Sequence, residues 1–271
     1  MTDLPGLAAL LADPLLGSVL SGRREGVLLL DYDGTLAPFT PDRDAAVPYP
    51  GLTDILARLP RAGSGRAVVV SGRPIEAIEG FLGPAAPAEI WGCHGALRRL
   101  PDGRREGLVL SPQWAKALDR AAAAVADALP ATALERKPVS LALHWRGLPD
   151  EAVRSLSRRI EPVWSGLARE AGLALHAFDG GLELRPPGWD KGRAVRCLAR
   201  EQPGAVLVYC GDDRTDEDAF TALGPDGLGI LVRPQWRPTA ACYHLTPPGE
   251  LSVFLDRVAA AFEGGNNESG R

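Results

Sequence analysis

Two aspartates, Asp31 and Asp33, directly follow a run of apolar residues in a D-Y-D-G-T motif. Side chains alternate along an extended strand, so both carboxylates are predicted to lie on one side of it. Such a pair can act as a nucleophile and as a general acid or base. The motif does not fit a calcium-binding loop, because the fifth and sixth positions from Asp31 are Thr35 and Leu36.

A second acidic segment begins at Gly211 and reads G-D-D-R-T-D-E-D. It follows another apolar run, as Ser71 does, and the carboxyl ends of parallel strands meet at the sheet edge where ligands bind. Crowded carboxylates repel one another, and a hard cation such as Mg²⁺ removes that conflict. We therefore predict a magnesium site at this edge. Glu217 and Asp218 are interpreted instead as first-turn acids of a helix that Thr215 caps.

Short apolar runs and amphipathic helices must position these residues. Continuous apolar runs are typical of parallel strands that are covered on both faces. Their alternation with helical patterns predicts a doubly wound α/β fold with a parallel sheet. The apolar runs end at Leu30, Val70, Tyr209 and Val232.

Residues 111–185 depart from this alternation and twice repeat the order helix, strand, strand. We predict a smaller α+β domain here, inserted into a core formed by residues 1–110 and 186–271. Its strands carry leucines on one face and polar residues on the other, and the polar face is either solvated or suited to sugar hydroxyls. The polar residues are Glu135, Lys137, Ser140, His144, Arg146, Glu183 and Arg185.

Four arginines flank a P-D-G turn: Arg98 and Arg99 precede it, and Arg104 and Arg105 follow it. They could be taken for a patch that binds a polyanion. An exposed hairpin with solvated charges is the simpler interpretation, and it is the one that we predict.

Overall charge and composition restrict the partners and the location. Thirty basic and 34 acidic residues give a net charge of −4, which favours neither nucleic acid nor an anionic membrane as a partner. The four cysteines include no C-x-x-C pair, so neither a zinc site nor a disulfide framework is indicated. No signal peptide and no membrane-spanning run is predicted. We expect a soluble, cytoplasmic protein that acts as a monomer.

The order D-x-D-G-T, S-G-R, a lysine and G-D-D-x-x-D resembles that of the haloacid dehalogenase (HAD) superfamily of phosphohydrolases, from Asp31 to Asp216. The resemblance implies that Asp31 attacks phosphorus and that Asp33 is the general acid and base. Ser71 and Lys191 would hold phosphoryl oxygens. It also implies a Mg²⁺ cofactor, bound by Asp31, the main-chain carbonyl of Asp33 and Asp212, with Asp213 and Asp216 as further or water-mediated partners.

Finer details resemble the trehalose-6-phosphate phosphatase family over nearly the whole chain. They include D-Y-D-G-T-L-A-P, G-D-D-R-T-D-E-D, G-C-H-G at residues 92–95, and the strand pairs E-x-K, H-x-R and E-x-R. The resemblance implies hydrolysis of trehalose 6-phosphate, with the inserted domain as a cap that selects the substrate. One basic position of the family corresponds to Asp179 here. The implied substrate-binding residues are Gly72, Arg73, His94, Glu135, Lys137, His144, Arg146, Glu183 and Arg185.

Three other functions fit parts of the pattern. The first is a phosphatase for another sugar phosphate, such as mannosyl- or glucosyl-3-phosphoglycerate or sucrose 6-phosphate. The second is a non-catalytic module that binds a sugar phosphate, which the complete set of catalytic residue types disfavours. The third is a phospho-accepting signalling domain, which the cap and a general acid/base at Asp33 disfavour, because a switch gains nothing from rapid dephosphorylation.

Overall fold

The computed structural model describes residues 4–40, 42–59, 65–126, 133–145, 147–178 and 180–268. The chain divides into two compact units. The core unit comprises Met1–Glu106 and Asp190–Arg271, and the inserted unit comprises Gly107–Trp189. The predicted inserted domain, residues 111–185, lies within the second unit.

The described residues form strands and helices in an order that alternates in the core unit. Within these residues, no helix has both the length and the apolar character that crossing a bilayer requires. The strands are β1 (Gly26–Leu30), β2 (Arg66–Val70), β3 (Glu89–Gly92), β4 (Leu97–Arg99), β5 (Arg105–Gly107), β6 (Leu134–Arg136), β7 (Leu141–His144), β8 (Ala174–Phe178), β9 (Gly181–Arg185), β10 (Val206–Gly211), β11 (Gly227–Val232) and β12 (Tyr243–Leu245). The helices are α1 (Leu7–Leu11), α2 (Pro14–Leu20), α3 (Leu52–Arg58), α4 (Ile75–Leu82), α5 (Pro112–Ala123), α6 (Asp150–Ala171), α7 (Lys191–Glu201), α8 (Glu217–Ala222) and α9 (Gly249–Glu268).

The core unit is built on a sheet with the strand order β12-β11-β10-β1-β2-β3-β4-β5. From β12 to β3 all neighbouring strands are parallel, and β4 runs antiparallel to β3. Side chains of β1 alternate between two apolar clusters. Leu28 and Leu30 pack in the cluster that contains residues of α3, α4 and α9, whereas Val27 and Leu29 pack with residues of α7 and α8. Because both faces are covered, the predicted parallel α/β fold is confirmed.

The inserted unit contains an antiparallel sheet with the order β6-β7-β9-β8. Its apolar cluster combines Trp164 of α6 and Leu118 of α5 with the leucines of β7 and β9. The predicted apolar face of this sheet is therefore confirmed. Arg146 and Asp179, which the sequence analysis singled out, lie outside the described residues.

Arg98 shows that the prediction of a hairpin with only solvated charges is wrong. Its side chain is 4% exposed. Nε donates to Oε1 of Glu89 at 2.8 Å, and the two terminal nitrogens donate to Glu201 at 2.6 and 2.7 Å. Glu89 belongs to β3 and Glu201 to α7, so this guanidinium joins a strand to a helix. Arg104 and Arg105 are exposed, as predicted.

Candidate active site

Asp31 follows the last residue of β1 at the carboxyl end of the parallel sheet. Its N–H donates to the carbonyl oxygen of Cys210 at 2.9 Å, which continues the pairing of β1 with β10. Its buried carboxylate accepts a hydrogen bond from Nζ of Lys191 at 2.7 Å. Lys191 begins α7, which Asp190 caps, and its Nζ also donates to Oδ1 of Asp216 at 2.7 Å. One buried ammonium therefore joins two carboxylates.

Asp212 follows β10 and provides a third buried carboxylate. Within the described part of the chain, neither of its oxygens has a hydrogen-bond partner, although the residue is fully buried. One carboxylate oxygen from each of Asp31, Asp212 and Asp216 lies within 4.8 Å of the other two. Buried charge without a partner is costly, and a hard cation with oxygen ligands would supply one. The carboxylates of Asp31 and Asp212 therefore fit Mg²⁺.

Gly34 leaves space beside the Asp212 carboxylate. Its φ is +85°, in the left-handed region that glycine adopts without strain. A Cβ at this position would lie 2.3 Å from Oδ2 of Asp212, so any side chain would collide with that carboxylate. The glycine of the D-Y-D-G-T motif thus allows the Asp31 loop to approach Asp212.

Burial and the neighbouring carboxylates shift the pKa values of the charged groups in this site. Burial raises the pKa of Asp31 to about 7; the Asp216 charge adds to this increase, and Lys191 opposes it. Burial, together with Asp31 and Asp216, raises the pKa of Asp212 well above its usual range. Burial lowers the pKa of Lys191, but the carboxylates of Asp216 and Asp31 raise it more. Lys191 therefore stays charged, and a bound cation would favour ionised Asp31 and Asp212.

Asp216 lies at the end of the acidic turn, residues 211–216, and all of its acceptor capacity is in use. Oδ1 accepts from Lys191 and also from the hydroxyl of Tyr209 at 2.6 Å. Oδ2 accepts the main-chain N–H groups of Asp212 at 3.0 Å and Asp213 at 2.9 Å. Four donors on one carboxylate favour a positioning role for Asp216 over direct metal ligation.

The start of the helix after the acidic turn differs from the sequence prediction. Thr215 does not cap it: Asp213 is the N-cap of the short 3₁₀ helix Arg214–Asp216 and forms a capping box with Asp216. Glu217 and Asp218 lie in the first turn of α8, as predicted. The prediction failed because the 3₁₀ turn moves the cap two residues toward the N-terminus.

Asp33 is held by Arg73. Nε of Arg73 donates to Oδ2 of Asp33 at 2.7 Å, and Nη2 donates to Oδ1 at 2.7 Å. The guanidinium also lies 4.9 Å from the ring centroid of Phe81 and 5.8 Å from that of Tyr32. The sequence analysis assigned Arg73 to substrate binding, whereas the structure places it on the carboxylate predicted to be the general acid and base.

Ser71 and Gly72 form a loop directly after β2, beside His94. Ser71 is buried, and its Oγ accepts the main-chain N–H of Arg73 at 3.2 Å. The N–H of His94 donates to the carbonyl oxygen of Ser71 at 2.9 Å. A Cβ on Gly72 would lie 2.6 Å from the His94 ring, so the ring packs directly against this loop. Cys93 and His94 both have positive φ, an uncommon conformation that this turn must maintain.

The polar face of the inserted unit is organised around Glu183. Its Oε1 accepts from Nζ of Lys137 at 3.0 Å and from Oγ of Ser140 at 2.6 Å. Glu183, Lys137 and Arg185 are between 1% and 8% exposed. The centre of this face is therefore buried, and the interpretation of a merely solvated face is wrong there.

A second pair on the polar face consists of Glu135 and His144. Nε2 of His144 lies 2.8 Å from Oε2 of Glu135, and the His144 ring packs edge-on against Phe178. The sequence analysis did not single out His176. The distance between its Nδ1 and Nη2 of Arg185 is 3.4 Å. The alternation along β8 could have identified it, because His176 lies directly opposite Glu183. Histidines, carboxylates and guanidinium groups thus share one face of the sheet.

Comparison with known proteins decides the family. The trehalose-phosphatase family profile matches residues 29–247. The chain belongs to this family. It is 32% identical to the trehalose-phosphate phosphatase of Mycobacterium marinum over 88% of this chain and 64% of that protein. It therefore spans a little under two thirds of the length of that relative.

Solved structures agree with the trehalose-phosphatase assignment at the level of the fold. The C-terminal domain of the Candida albicans trehalose-6-phosphate phosphatase is similar with a TM-score of 0.78 and 23% identity, covering 95% of this chain and 98% of that domain. A haloacid dehalogenase-like hydrolase from Bacteroides thetaiotaomicron is similar with a TM-score of 0.60 and 19% identity, covering 89% and 99%. This member of the trehalose-phosphatase family therefore has the HAD fold that its motifs predicted.

Two residues that contact the acidic turn were missed by the sequence analysis. Tyr209 lies within an apolar strand run, where only its hydroxyl distinguishes it from the neighbouring core residues. Arg237 lies in the loop between β11 and β12 and donates to main-chain carbonyls of the turn. No spacing rule identifies such a contact, because its partners are more than 20 residues away in the chain.

Proposed function

We propose that this protein is a Mg²⁺-dependent phosphatase that hydrolyses trehalose 6-phosphate to trehalose and phosphate. One observation carries the proposal. In this chain of the trehalose-phosphatase family, Lys191 is hydrogen-bonded to Asp31 beside the Asp212 carboxylate, which has no hydrogen-bond partner among the described residues. This arrangement combines a nucleophile, a fixed cation and a metal-binding group, which phosphoryl transfer requires more than elaborate covalent chemistry.

Asp31 forms the first new bond. One of its carboxylate oxygens attacks phosphorus, and the bond between phosphorus and the sugar oxygen breaks. Asp33 gives its proton to that leaving oxygen, so that the sugar departs as a neutral alcohol. Lys191 and the Ser71 hydroxyl bind the phosphoryl oxygens and stabilise the charge that develops on them. The product of this step is an aspartyl phosphate on Asp31.

Asp33 also serves the second step. Its carboxylate removes a proton from a water molecule, whose oxygen attacks phosphorus. The bond between phosphorus and the Asp31 oxygen breaks, inorganic phosphate leaves, and the Asp31 carboxylate is restored. Asp33 is then protonated again for the next turnover. The same residue therefore donates a proton in one step and accepts one in the other.

Asp31, the main-chain carbonyl of Asp33 and Asp212 would hold Mg²⁺, with Asp213 close by in the acidic turn. When bound, the ion would neutralise the crowded carboxylates and would supply positive charge for the transferring phosphoryl group. The raised pKa values of Asp31 and Asp212 support this assignment, because burial and mutual repulsion cause both shifts. Asp216 supports the site through its hydrogen bonds and is not assigned as a direct ligand.

The polar face of the inserted unit supports a sugar substrate. Carboxylates and guanidinium groups with several donors and acceptors suit the hydroxyls of glucose rings. We assign sugar binding to Glu135, Lys137, His144, Glu183 and Arg185. Arg146 lies outside the described residues, and we propose it for sugar binding from the sequence alone. A monomer in the cytoplasm is part of the proposal. The free cysteines Cys93, Cys197, Cys210 and Cys242 suit a reducing compartment.

Phosphate release from a substrate panel tests the proposal. Trehalose 6-phosphate, glucose 6-phosphate, sucrose 6-phosphate and mannosyl-3-phosphoglycerate would be compared with and without a chelator. We expect the highest kcat/KM with trehalose 6-phosphate, loss of activity with chelator and recovery with Mg²⁺. The Asp31→Asn variant should retain the fold and lose turnover. Preference for another substrate on the panel would overturn the substrate assignment, and sustained turnover by Asp31→Asn would overturn the mechanism.

A further inference from the structure

The carboxylate of Asp212 has no hydrogen bond of its own among the described residues, so its direction depends on the main chain that carries it. That main chain is held by side chains on both sides. The N–H groups of Asp212 and Asp213 donate to Asp216 at 3.0 and 2.9 Å. The carbonyl oxygens on the other side accept from arginines that the mechanism does not use.

Arg237 provides most of these carbonyl contacts. Its Nε donates to the carbonyl oxygen of Asp212 at 3.1 Å, and its Nη2 donates to that of Asp213 at 2.6 Å. Arg233 adds a third hydrogen bond, from Nη1 to the carbonyl oxygen of Asp212 at 3.2 Å. The side chain of Arg237 is 16% exposed, so the contacts are largely shielded from water. A planar guanidinium presents its donors in a rigid fork that matches two neighbouring carbonyls, whereas an ammonium is a compact charge on a flexible stem.

Glu217 fixes the guanidinium in turn. Its carboxylate forms an ion pair with Nη1 of Arg237. The hydroxyl of Thr239 also donates to Glu217 at 2.8 Å, and the N–H of Ala240 donates at 2.7 Å. Arg237 and Glu217 therefore connect the loop between β11 and β12 to the acidic turn and to α8. The first-turn position of Glu217 does not by itself explain these contacts.

We propose that Arg237, oriented by Glu217, is a positioning residue that sets the direction of the Asp212 carboxylate for Mg²⁺. This inference rests on the Mg²⁺ site of the proposed function. Residues that orient the ligands of a metal commonly change its affinity about 10–100-fold when replaced. Arg237 contacts the main chain of the metal ligand Asp212 and not the substrate. Its loss should therefore weaken Mg²⁺ binding more than it lowers the rate of phosphoryl transfer.

Isothermal titration calorimetry with Mg²⁺ alone, on the metal-stripped full chain, tests the inference without any substrate. Arg237→Lys keeps the positive charge and removes the rigid planar fork that holds the two carbonyls. We expect its Mg²⁺ dissociation constant to rise about tenfold or more. Glu217→Gln should shift the constant in the same direction by less, because its amide oxygen still accepts from the N–H of Ala240. In both variants kcat at saturating Mg²⁺ should stay within about threefold of wild type.

Arg24→Lys is the matched control, since Nε and Nη2 of Arg24 also donate to a main-chain carbonyl oxygen, that of Gly204 at 3.3 and 2.9 Å. Its Mg²⁺ constant should equal that of wild type. Equal constants for wild type and folded Arg237→Lys would overturn the inference, as would an equal loss in Arg24→Lys. If wild type binds Mg²⁺ but does not hydrolyse trehalose 6-phosphate, the proposed substrate is wrong. A tenfold rise of the Mg²⁺ dissociation constant in Arg237→Lys would still support the positioning role.

Discussion

Arg73 binds both carboxylate oxygens of Asp33, each at 2.7 Å, in a planar two-point ion pair. The side chain of Arg73 is 14% exposed and that of Asp33 is 31% exposed. Phe81 and Tyr32 lie against the guanidinium and limit its movement. The general acid and base of the proposed mechanism is therefore held by an arginine from the loop after the neighbouring strand β2.

Replacing Arg73 should affect proton transfer more than binding. In Arg73→Gln the Asp33 carboxylate loses its two-point partner, and we expect kcat for trehalose 6-phosphate to fall by about 10–100-fold, since general acid catalysis contributes about 10²–10⁴-fold. With p-nitrophenyl phosphate, whose leaving group needs no proton, the loss should be much smaller. Steady-state kinetics on both substrates would measure the difference.

A purely substrate-binding role for Arg73 makes the opposite prediction. KM would then rise for both substrates, with no dependence on the leaving group. Arg105→Gln serves as the control, because Arg105 forms an ion pair with Glu79 at 2.8 Å on an exposed hairpin. It should leave both kinetic constants unchanged.

The metal-free site should be a source of instability. Burial raises the pKa of Asp31 to about 7 from 3.8 and raises that of Asp212 as well. A carboxyl group with a raised pKa binds more protons in the folded state, so the metal-free protein should lose stability as pH rises from about 4 to about 7. Mg²⁺ should reverse this loss, because it binds only the folded, ionised site.

Asp212→Asn isolates that effect. The neutral side chain removes the electrostatic repulsion with Asp31 and Asp216. A gain of about 1–2 kcal/mol in the free energy of unfolding corresponds to a rise of roughly 2–8 °C in Tm. At pH 8 without metal, we expect the variant to melt higher than wild type, with no further increase on adding Mg²⁺. Thermal unfolding with and without Mg²⁺ would test this. A variant that melts lower than metal-free wild type, or that still gains stability from Mg²⁺, would contradict it.

The sequence predicted the strands that precede the proposed catalytic and metal-binding residues because two local signals agree at those points. Apolar runs define β1, β2 and β10, and a polar residue follows each run at Asp31, Ser71 and Asp212. Parallel pairing then brings these ends to one edge. The α/β layers and the convergence of Asp31, Asp212 and Lys191 therefore needed no knowledge of side-chain contacts.

The partners of individual side chains could not be predicted in the same way. Arg73 and Asp33 are 40 positions apart, and Arg237 lies 25 positions from Asp212. Which acceptor an arginine selects depends on the path of two loops, and spacing along the chain does not record that path. Arg98 was assigned to an exposed hairpin for the same reason, because its partner Glu201 comes from a distant helix.

Glu89 should be important for the stability of the core unit. Its side chain is 1% exposed and accepts from Nε1 of Trp91 at 2.8 Å and from Nε of Arg98 at 2.8 Å. Removing one partner of a buried ion pair typically costs about 3–5 kcal/mol. We expect Glu89→Ala to lower the free energy of unfolding by about this amount in urea denaturation. Glu106, whose side chain is 54% exposed, contacts the same arginine at 3.4 Å.

Glu106→Ala is therefore the matched control for Glu89→Ala, and it should cost less than about 1 kcal/mol, as exposed ion pairs do. Equal losses of unfolding free energy in the two variants would show that burial does not determine how much an ion pair with Arg98 contributes to stability. A loss below about 1 kcal/mol for Glu89→Ala would show that the buried pair contributes little to the fold.

Glu135 provides a test of sugar recognition that separates the inserted unit from the chemistry of the core unit. Its Oε2 lies 2.8 Å from Nε2 of His144 on the polar face. Glu135→Gln removes the charge and disturbs this pair, and a hydrogen bond to a charged group contributes about 1.5–3 kcal/mol, or roughly 10–100-fold in binding. We expect KM for trehalose 6-phosphate to rise within that range, and the effect on p-nitrophenyl phosphate to be much smaller.

Arg120→Gln controls for the inserted unit itself. Arg120 lies in α5 and forms an exposed ion pair with Glu170 of α6 at 2.6 Å. The control should leave both substrates unaffected, because its side chain lies on the helices and not on the polar face. If Glu135→Gln lowered kcat/KM equally for the disaccharide phosphate and the aryl phosphate, the residue would act through the fold, and the assignment of the polar face to sugar binding would be wrong.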